Sequence, residues 1–429
     1  MKTLHLINCW HRQSGGIATF YRAMMRAAEA QGRPIRLVVP GETDAVADEG
    51  RWGRIYYVRG RPAPFNREYR LVMPQSYLLP NGPVRRILAA ERPDLVECCD
   101  KYTLNYLAGL LRVGWLGFGG HRPTVVGISC ERMDDNMARY LSPGTLGRRF
   151  CRLYMQWLYF PLCDHHIAVS PYTATELHEA SFGHRCRRGV WVRPMGVDCS
   201  LFTPDRRREE ACRRLRALTG ASEEATLLLY VGRLAPEKNP GLLLDTLRIL
   251  ESQAPGQFHL VLAGDGPMRR ELESGCRRDL PGAVCFLGHI GDREALAGLY
   301  ANCDLLLHPN SSEPFGIAPL EAMASGLPVI GPDSGGITSY AGDGNAVLVP
   351  AEPAAFARAC RELQNDSERI RRLREAGRQT SRRYDWPTVA AGFFELYEEL
   401  HALTQGTLDN ARLQPAFYST TRRRFGWES

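Results

Sequence analysis

Two carboxylates in one short stretch carry the first chemical question. The segment SEPFGIAPLEAMASGLPVI places Glu313 in a turn and Glu321 eight positions later. Pro319 stands where a helix can begin, because a proline in a first turn loses no hydrogen bond. Gly316, Ile317 and Ala318 then offer free backbone N–H groups at the positive end of that helix. That is an anion site. Carboxylates beside it would repel a phosphate, so Glu313 and Glu321 are better suited to hydroxyl groups. The competing explanation is that both merely favour a helix start, worth about 0.3–1 kcal/mol each. It does not explain why Glu313 lies outside the helix among turn residues.

Two other stretches offer groups for an anion. In YVGRLAPEKNP, Gly232 and Arg233 end an apolar run and Lys238 follows. An arginine that binds two oxygens and a lysine that acts as a point charge suit a diphosphate. Two solvated loop charges are the plain alternative. In NCWHRQSGGIATFYRAM, Gly15 and Gly16 would let a ligand approach the backbone where a helix opens. Neither this stretch nor LAGDGPMRR, around Gly264, has the full G-x-G-x-x-G pattern, which argues against a dinucleotide dehydrogenase. No metal site is expected. No cysteine pair has C-x-x-C spacing, and His165 and His166 sit on a strand-like run that sends them to opposite faces.

The elements that must hold these groups alternate along the chain. Apolar runs at 4–8, 35–39, 94–97, 124–128 and 165–169 in the first half, and at 226–231, 258–263, 283–288, 303–308 and 327–331 in the second, are separated by helical stretches. Near-continuous apolar runs suit parallel strands covered by helices on both faces. Two doubly wound α/β domains follow. A break at 194–224 marks the linker, and the residues after Asp385-Trp386-Pro387 read as one more helix. The domains are expected at 1–200 and 201–383, with a helix at 384–404 and a C-terminal tail at 405–429.

At 429 residues, 44% hydrophobic and 24% charged, the chain reads as globular and too long for one core. No run approaches the ~20 apolar residues of a membrane span. A strand-like run close to Met1 and scattered cysteines read as reduced thiols point to the cytoplasm. The first 200 residues are basic and the remainder slightly acidic. The basic half suits a phosphate or the inner face of a membrane, or is simply a solvated arginine-rich face; nucleic acid is not expected. In RRFCRLYMQWLYFPLCDHH (148–166), basic residues precede an aromatic and apolar run. A buried helix leading into the next strand is the favoured reading, and a peripheral membrane contact the other.

Taken together, these stretches resemble the retaining nucleotide-sugar glycosyltransferases of family 4, which have the GT-B fold. SGGIATF, VSPYTATEL, PMGVDCSLFTP, VGRLAPEKNP, LAGDGP, FLGHI, the E-x7-E segment and YDWPTVA occur in the family's order. The resemblance implies two Rossmann-like domains facing a central cleft. It also implies a hexosyltransferase that needs no metal or cofactor and moves a sugar from a nucleotide diphosphate to an acceptor hydroxyl. Arg233 and Lys238 would hold the diphosphate, with Gly15, Gly16, Gly264 and the amides of Gly316, Ile317 and Ala318 around the donor. Glu313 would contact the transferred sugar and Glu321 the ribose; His289 and Ile290 would border the base.

One position departs from the family pattern. Many members carry a histidine where this chain has Cys130, facing the donor sugar. The thiol does a reduced version of that work, or the enzyme works differently, or it is inactive. Acceptor candidates are Asp100, Lys101 and Tyr102, after a strand, and Glu131, Arg132 and Asp134, beside Cys130. The acceptor would be a glycan, a lipid-linked precursor or a small molecule. A nucleotide-sugar epimerase of the same fold and a silent donor-binding protein remain the rival readings.

Overall fold

The computed structural model describes residues 1–10, 15–63, 69–116, 121–135, 145–181 and 189–407. Sixteen strands occur among them. In the first half they are β1 (Thr3–Ile7), β2 (Ile35–Gly41), β3 (Ala45–Glu49), β4 (Gly53–Arg59), β5 (Arg61–Pro62), β6 (Arg70–Leu71), β7 (Leu95–Cys99), β8 (Thr124–Ser129), β9 (His165–Ala168) and β10 (Val190–Val192). In the second they are β11 (Thr226–Val231), β12 (Phe258–Ala263), β13 (Val284–Gly288), β14 (Leu305–Leu307), β15 (Val329–Pro332) and β16 (Val347–Val349).

The first sheet runs β10-β9-β8-β7-β1-β2-β4-β3, and the second runs β13-β12-β11-β14-β15-β16. All pairings within them are parallel except β3 with β4. Each apolar run of the sequence became a strand, and all but the half-buried edge strand β13 are buried inside a sheet, as helix-covered parallel sheets require. The edge pair β3–β4 was not expected. β3 is mostly exposed and lacks a continuous apolar run, so hydrophobic pattern alone does not reveal it.

The closing helix, Trp386–Thr404, returns to the first half of the chain. Phe393 stacks edge-on against Phe20 at 5.1 Å. His401 Nδ1 lies 3.0 Å from Thr124 Oγ1 at the start of β8. Beneath this contact, the fully buried Glu97 accepts hydrogen bonds from Tyr21 and Tyr397, with His5 Nδ1 at 2.8 Å. The entry to the helix is clamped to the linker: Val197 N–H donates to Tyr384 O and Trp386 N–H to Val197 O. Gly196 has no room for a side chain, because a Cβ there would lie 2.7 Å from the Trp386 ring.

The 148–162 run corrects the expectation of a buried helix. Cys151, Met155, Tyr159 and Phe160 are buried, but Phe150, Leu153, Trp157 and Leu158 face solvent, Trp157 with 63% of its surface exposed. Phe150, Leu153 and Trp157 fall at i, i+3 and i+7, one stripe beside the exposed Arg148, Arg149 and Arg152. Among the described residues, no helix is long and apolar enough to cross a membrane.

Candidate active site

The site forms where two helix starts meet. Gly16 opens the helix Gly16–Gln31 after β1, and Gly316 caps the helix Ile317–Ala324. They face each other so closely that a Cβ on Gly16 would lie 3.2 Å from Ile317 Cδ1. Gly316 has φ +91°, which glycine adopts without strain, and its carbonyl accepts from Tyr340 OH. The amide ends of two helices, one from each sheet, thus converge on one cleft. Ser170 Oγ donates to Pro314 O across the same cleft, and Arg233 Nη1 reaches Tyr69 OH at 3.3 Å.

Glu313 stands on the Pro314 side, nearly buried. Both of its oxygens receive Lys238 Nζ, at 2.9 and 2.7 Å, and Asn310 Nδ2 donates at 2.7 Å. Burial alone would raise this carboxyl, but Lys238, His308 and Asn310 outweigh it and lower it to about 2. His308 is held near 4 by burial, so it is neutral at pH 7. Its Nε2 has no hydrogen-bond partner.

Glu321 lies one turn into the helix. Tyr300 OH donates to its Oε2 at 2.9 Å. Burial raises this carboxyl to about 7, with Tyr300 and Arg293 opposing part of the rise. The two glutamates therefore differ sharply in charge state: Glu313 is ionised well below neutrality, whereas Glu321 titrates around it.

The glycines of the second half have mixed reasons. A Cβ on Gly264 would lie 1.8 Å from Gly232 O, so Gly264 is required for packing two strand-end loops together. Gly288 ends β13 at φ +73°, leaving His289 exposed and Ile290 half-buried at the carboxyl edge of the sheet.

Cys130 follows β8. Its Sγ is 3.8 Å from Cys99 Sγ, and with Cys9, Ile17 and Asp100 it lines a small cavity of about 10 Å³. Two acceptor candidates, Asp100 and Lys101, are buried here. Asp100 Oδ2 accepts from the backbone N–H groups of Tyr102, Thr103 and Leu104, so the carboxylate caps the helix Leu104–Arg112. Lys101 is buried against Glu176 at 2.8 Å and donates to Glu131 O. Lys101 is thus tied into the loop, whereas Asp100 is tied through Oδ2 alone, its buried Oδ1 having no partner. Arg132 pairs with Asp134 at 2.6 Å and lies over the Tyr172 ring. Tyr102 and Glu131 remain half-buried at the mouth.

Sequence reasoning passed over Asn310, His308, Ser170, Tyr300 and Tyr69. Asn310 and His308 follow β14 immediately, the position from which a strand-end ligand is met. Position could have flagged them. Nothing in the sequence pairs Tyr300 with Glu321 or Tyr69 with Arg233.

The family described as Glycosyltransferase Family 4 matches residues 14–201, and that described as Glycosyl transferases group 1 matches residues 213–380. A GDP-mannose-dependent alpha-(1-6)-phosphatidylinositol dimannoside mannosyltransferase of Mycobacterium tuberculosis is 31% identical over 395 residues, 91% of this chain and 94% of that protein. A D-inositol 3-phosphate glycosyltransferase of Geodermatophilus obscurus is 33% identical over 54% of this chain and 52% of its own length. Among solved structures, sucrose-phosphate synthase of Thermosynechococcus elongatus superposes with a TM-score of 0.71 at 23% identity, over 94% of this chain and all of that one. Anabaena Alr3699/HepE in complex with UDP-glucose gives 0.67 at 21% identity, over 93% and 100%. These likenesses confirm the GT-B fold, and the chain belongs to the family 4, group 1 glycosyltransferases, enzymes that use nucleotide-sugar donors.

Proposed function

We propose that this enzyme transfers a hexose with retention from a nucleotide-diphosphate sugar to a lipid-linked acceptor, without a metal. The observation that carries the reading is the convergence of the Gly16 and Ile317 helix starts beside Glu313 and its partner Lys238, with Arg233 reaching Tyr69. In this reading the developing diphosphate charge falls on Arg233, Lys238 and the helix amides, which are fixed before reaction. With two protein cations and a helix end aimed at the diphosphate, the reading needs no divalent ion. Glu321 would receive ribose hydroxyls. Glu313 would leave part of its pairing with Lys238 for a hydroxyl of the transferred sugar. No carboxylate is assigned as a nucleophile; attack would come on the face the leaving group departs from.

The mycobacterial relative, a GDP-mannose-dependent phosphatidylinositol dimannoside mannosyltransferase, makes GDP-mannose the first donor to test and a phosphoinositide-type glycolipid the first acceptor. The exposed Phe150–Trp157 stripe, flanked by arginines, supports an amphiphilic acceptor reached at a membrane surface. The helix that carries the stripe is fastened to the loop after β7, since Tyr154 OH donates to Lys101 O at 2.6 Å.

The test is a thermal-shift screen of GDP-, UDP- and ADP-sugars, followed by product analysis with glycolipid acceptors. A donor at 100 times its Kd should add about 2.7 kcal/mol of stability. Stabilisation by no nucleotide sugar would end the reading. Donor conversion without acceptor would favour the epimerase, and tight binding without either reaction the silent binding protein.

A further inference from the structure

A second cavity lies away from the cleft, in the C-terminal half. A half-open pocket of about 300 Å³ lies between the turn at Pro204–Arg207, the helix Arg293–Asn302, the end of the helix Ile317–Ala324 and the helix Ser367–Arg382. That volume is at the small end of ordinary ligand pockets, roughly 300–1,000 Å³. Four arginines, Arg207, Arg371, Arg374 and Arg378, line it with one carboxylate, Glu375.

The arginines are not equally satisfied. Arg207 donates to Ala301 O and Cys303 O and lies 3.5 Å from Asp304, so it closes a helix end. Arg371 is exposed and paired with Glu368. Arg374 and Arg378 have no carboxylate within 4.0 Å among the described residues. Arg374 is half-buried, and its Nε is shielded from solvent with no acceptor. Burial and the neighbouring Arg207 both weaken its hold on a proton. Ser325 adds an independent sign. Its side chain is 3% exposed and lines the cavity, yet its Oγ has no partner. Ser325 Oγ and Arg374 Nε both lie just behind the cavity wall, out of solvent's reach and unpartnered, so the wall carries polar groups that the protein itself leaves unsatisfied.

We propose that this cavity binds a small phosphate-bearing molecule, held by Arg374 and Arg378 with the Ser325 hydroxyl. Planar guanidinium groups match phosphate oxygens in pairs, and the hydroxyl, once rotated into the cavity, can donate to a third oxygen. The place is distinct from the donor cleft but adjoins it. Tyr300 forms part of the cavity wall and donates to Glu321. An occupant would therefore sit one side chain from the carboxylate assigned to the ribose.

The test keeps the donor cleft filled with a saturating nucleoside diphosphate, so that added anions report only the second site. Inorganic phosphate, pyrophosphate and a hexose phosphate are titrated at constant ionic strength against chloride, and the melting temperature is followed. A saturable rise is expected with at least one of them. Strongest binding by pyrophosphate would identify a diphosphate site, and strongest binding by the hexose phosphate a sugar-phosphate site. Arg374→Gln should weaken the binding at least tenfold, and Ser325→Ala more mildly. Arg378→Gln serves if the first variant folds poorly. Stabilisation by the nucleoside diphosphate should persist in every folded variant. No saturable response, or an unchanged response in both arginine variants, would overturn the proposal. Neither readout depends on transfer activity; only the masking of the donor cleft rests on the nucleotide-sugar reading, and a failure to be stabilised by any nucleoside diphosphate would count against that reading and not against this site.

Discussion

Lys238 Nζ lies within 3 Å of both Glu313 oxygens, although the two residues are 75 positions apart. The cation assigned to the diphosphate and the carboxylate assigned to the sugar are thus partners before any donor arrives. Removing either one strands the other. Lys238→Ala should lower kcat/KM by about 2–4 kcal/mol, since it removes a cation from the leaving diphosphate and leaves Glu313 unpaired in a nearly buried site. Arg233→Ala, whose partners Tyr69 and Glu237 are less enclosed, should cost the same range or less. Unchanged kcat/KM in both variants would remove the diphosphate assignment.

The pairing also fixes an acid limb. The folded Glu313 carboxyl is at about 2, below its ordinary 4.5. Its stabilising contribution is therefore present above pH 4.5 and lost as pH falls from 4.5 through 2. In Lys238→Ala the largest lowering influence is gone, and burial pushes the carboxyl upward. Acid unfolding of that variant should begin at higher pH than in the parent. Titration by equilibrium denaturation between pH 3 and 6 checks this, and coincident acid limbs would refute it.

Much of the architecture could be read because parallel strands advertise themselves. TLLLYV and FHLVLA are continuous apolar runs and became β11 and β12, residue for residue. The exposed edge strand β3 and its neighbour β4 could not be read that way. Site residues divided similarly. The Gly316 helix start was legible from local types, because proline and glycine act locally. Asp100 was not: a carboxylate after a strand reads equally as a ligand contact or as a cap, and only the three amides it meets decide. The 148–162 run failed for a related reason. Its composition fits a buried helix, but its apolar residues are split between a buried stripe and an exposed one.

Glu321 should make donor binding depend on pH near neutrality. Its folded value of about 7 lies above the ordinary 4.5. The folded protein thus holds a proton that the unfolded chain releases above pH 4.5. The stabilising effect of that proton is complete below 4.5 and is lost as pH rises through 7, a change of roughly 3 kcal/mol. Ribose hydroxyls favour the ionised acceptor, so affinity for a nucleotide sugar should tighten from pH 6 to 8. Glu321→Gln should flatten that dependence, and Glu321→Ala should raise donor KM. Glu313→Ala should instead act mainly on kcat, because the transferred sugar changes during reaction while the ribose does not. Calorimetric titration with the identified donor and steady-state kinetics separate the two; the reverse pattern means their roles are exchanged.

The exposed stripe makes a separate prediction. Trp157→Ser with Leu153→Ser should reduce sedimentation with anionic vesicles at least tenfold at low salt. Turnover of a water-soluble acceptor should be unaffected, since neither side chain lines the cleft. Binding should also weaken as salt rises, because Arg148, Arg149 and Arg152 flank the apolar residues. Equal vesicle binding by parent and variant would show that the stripe does not meet lipid.

Cys130 allows the sharpest test of how the sugar is held. A thiol is a weak donor and a weak acceptor, so it replaces imidazole poorly in a hydrogen bond to a hydroxyl. In the structure Cys130 Sγ faces Cys99 Sγ at 3.8 Å, and its nearest role is to close the small cavity behind the loop. The backbone carbonyl at this position survives any substitution and could still meet the reacting centre, with Glu313 supplying the side-chain contact. Cys130→Ala should then keep kcat/KM within about tenfold, or 1.4 kcal/mol. Cys130→His, which restores the family's usual residue, should be tolerated or raise turnover where the loop has room. The measurement is kcat/KM of Cys130→Ala with the identified donor and acceptor, together with donor affinity by direct titration. A loss of about 1,000-fold, equivalent to roughly 4 kcal/mol, with donor affinity intact would mean that the thiol itself takes part in transfer.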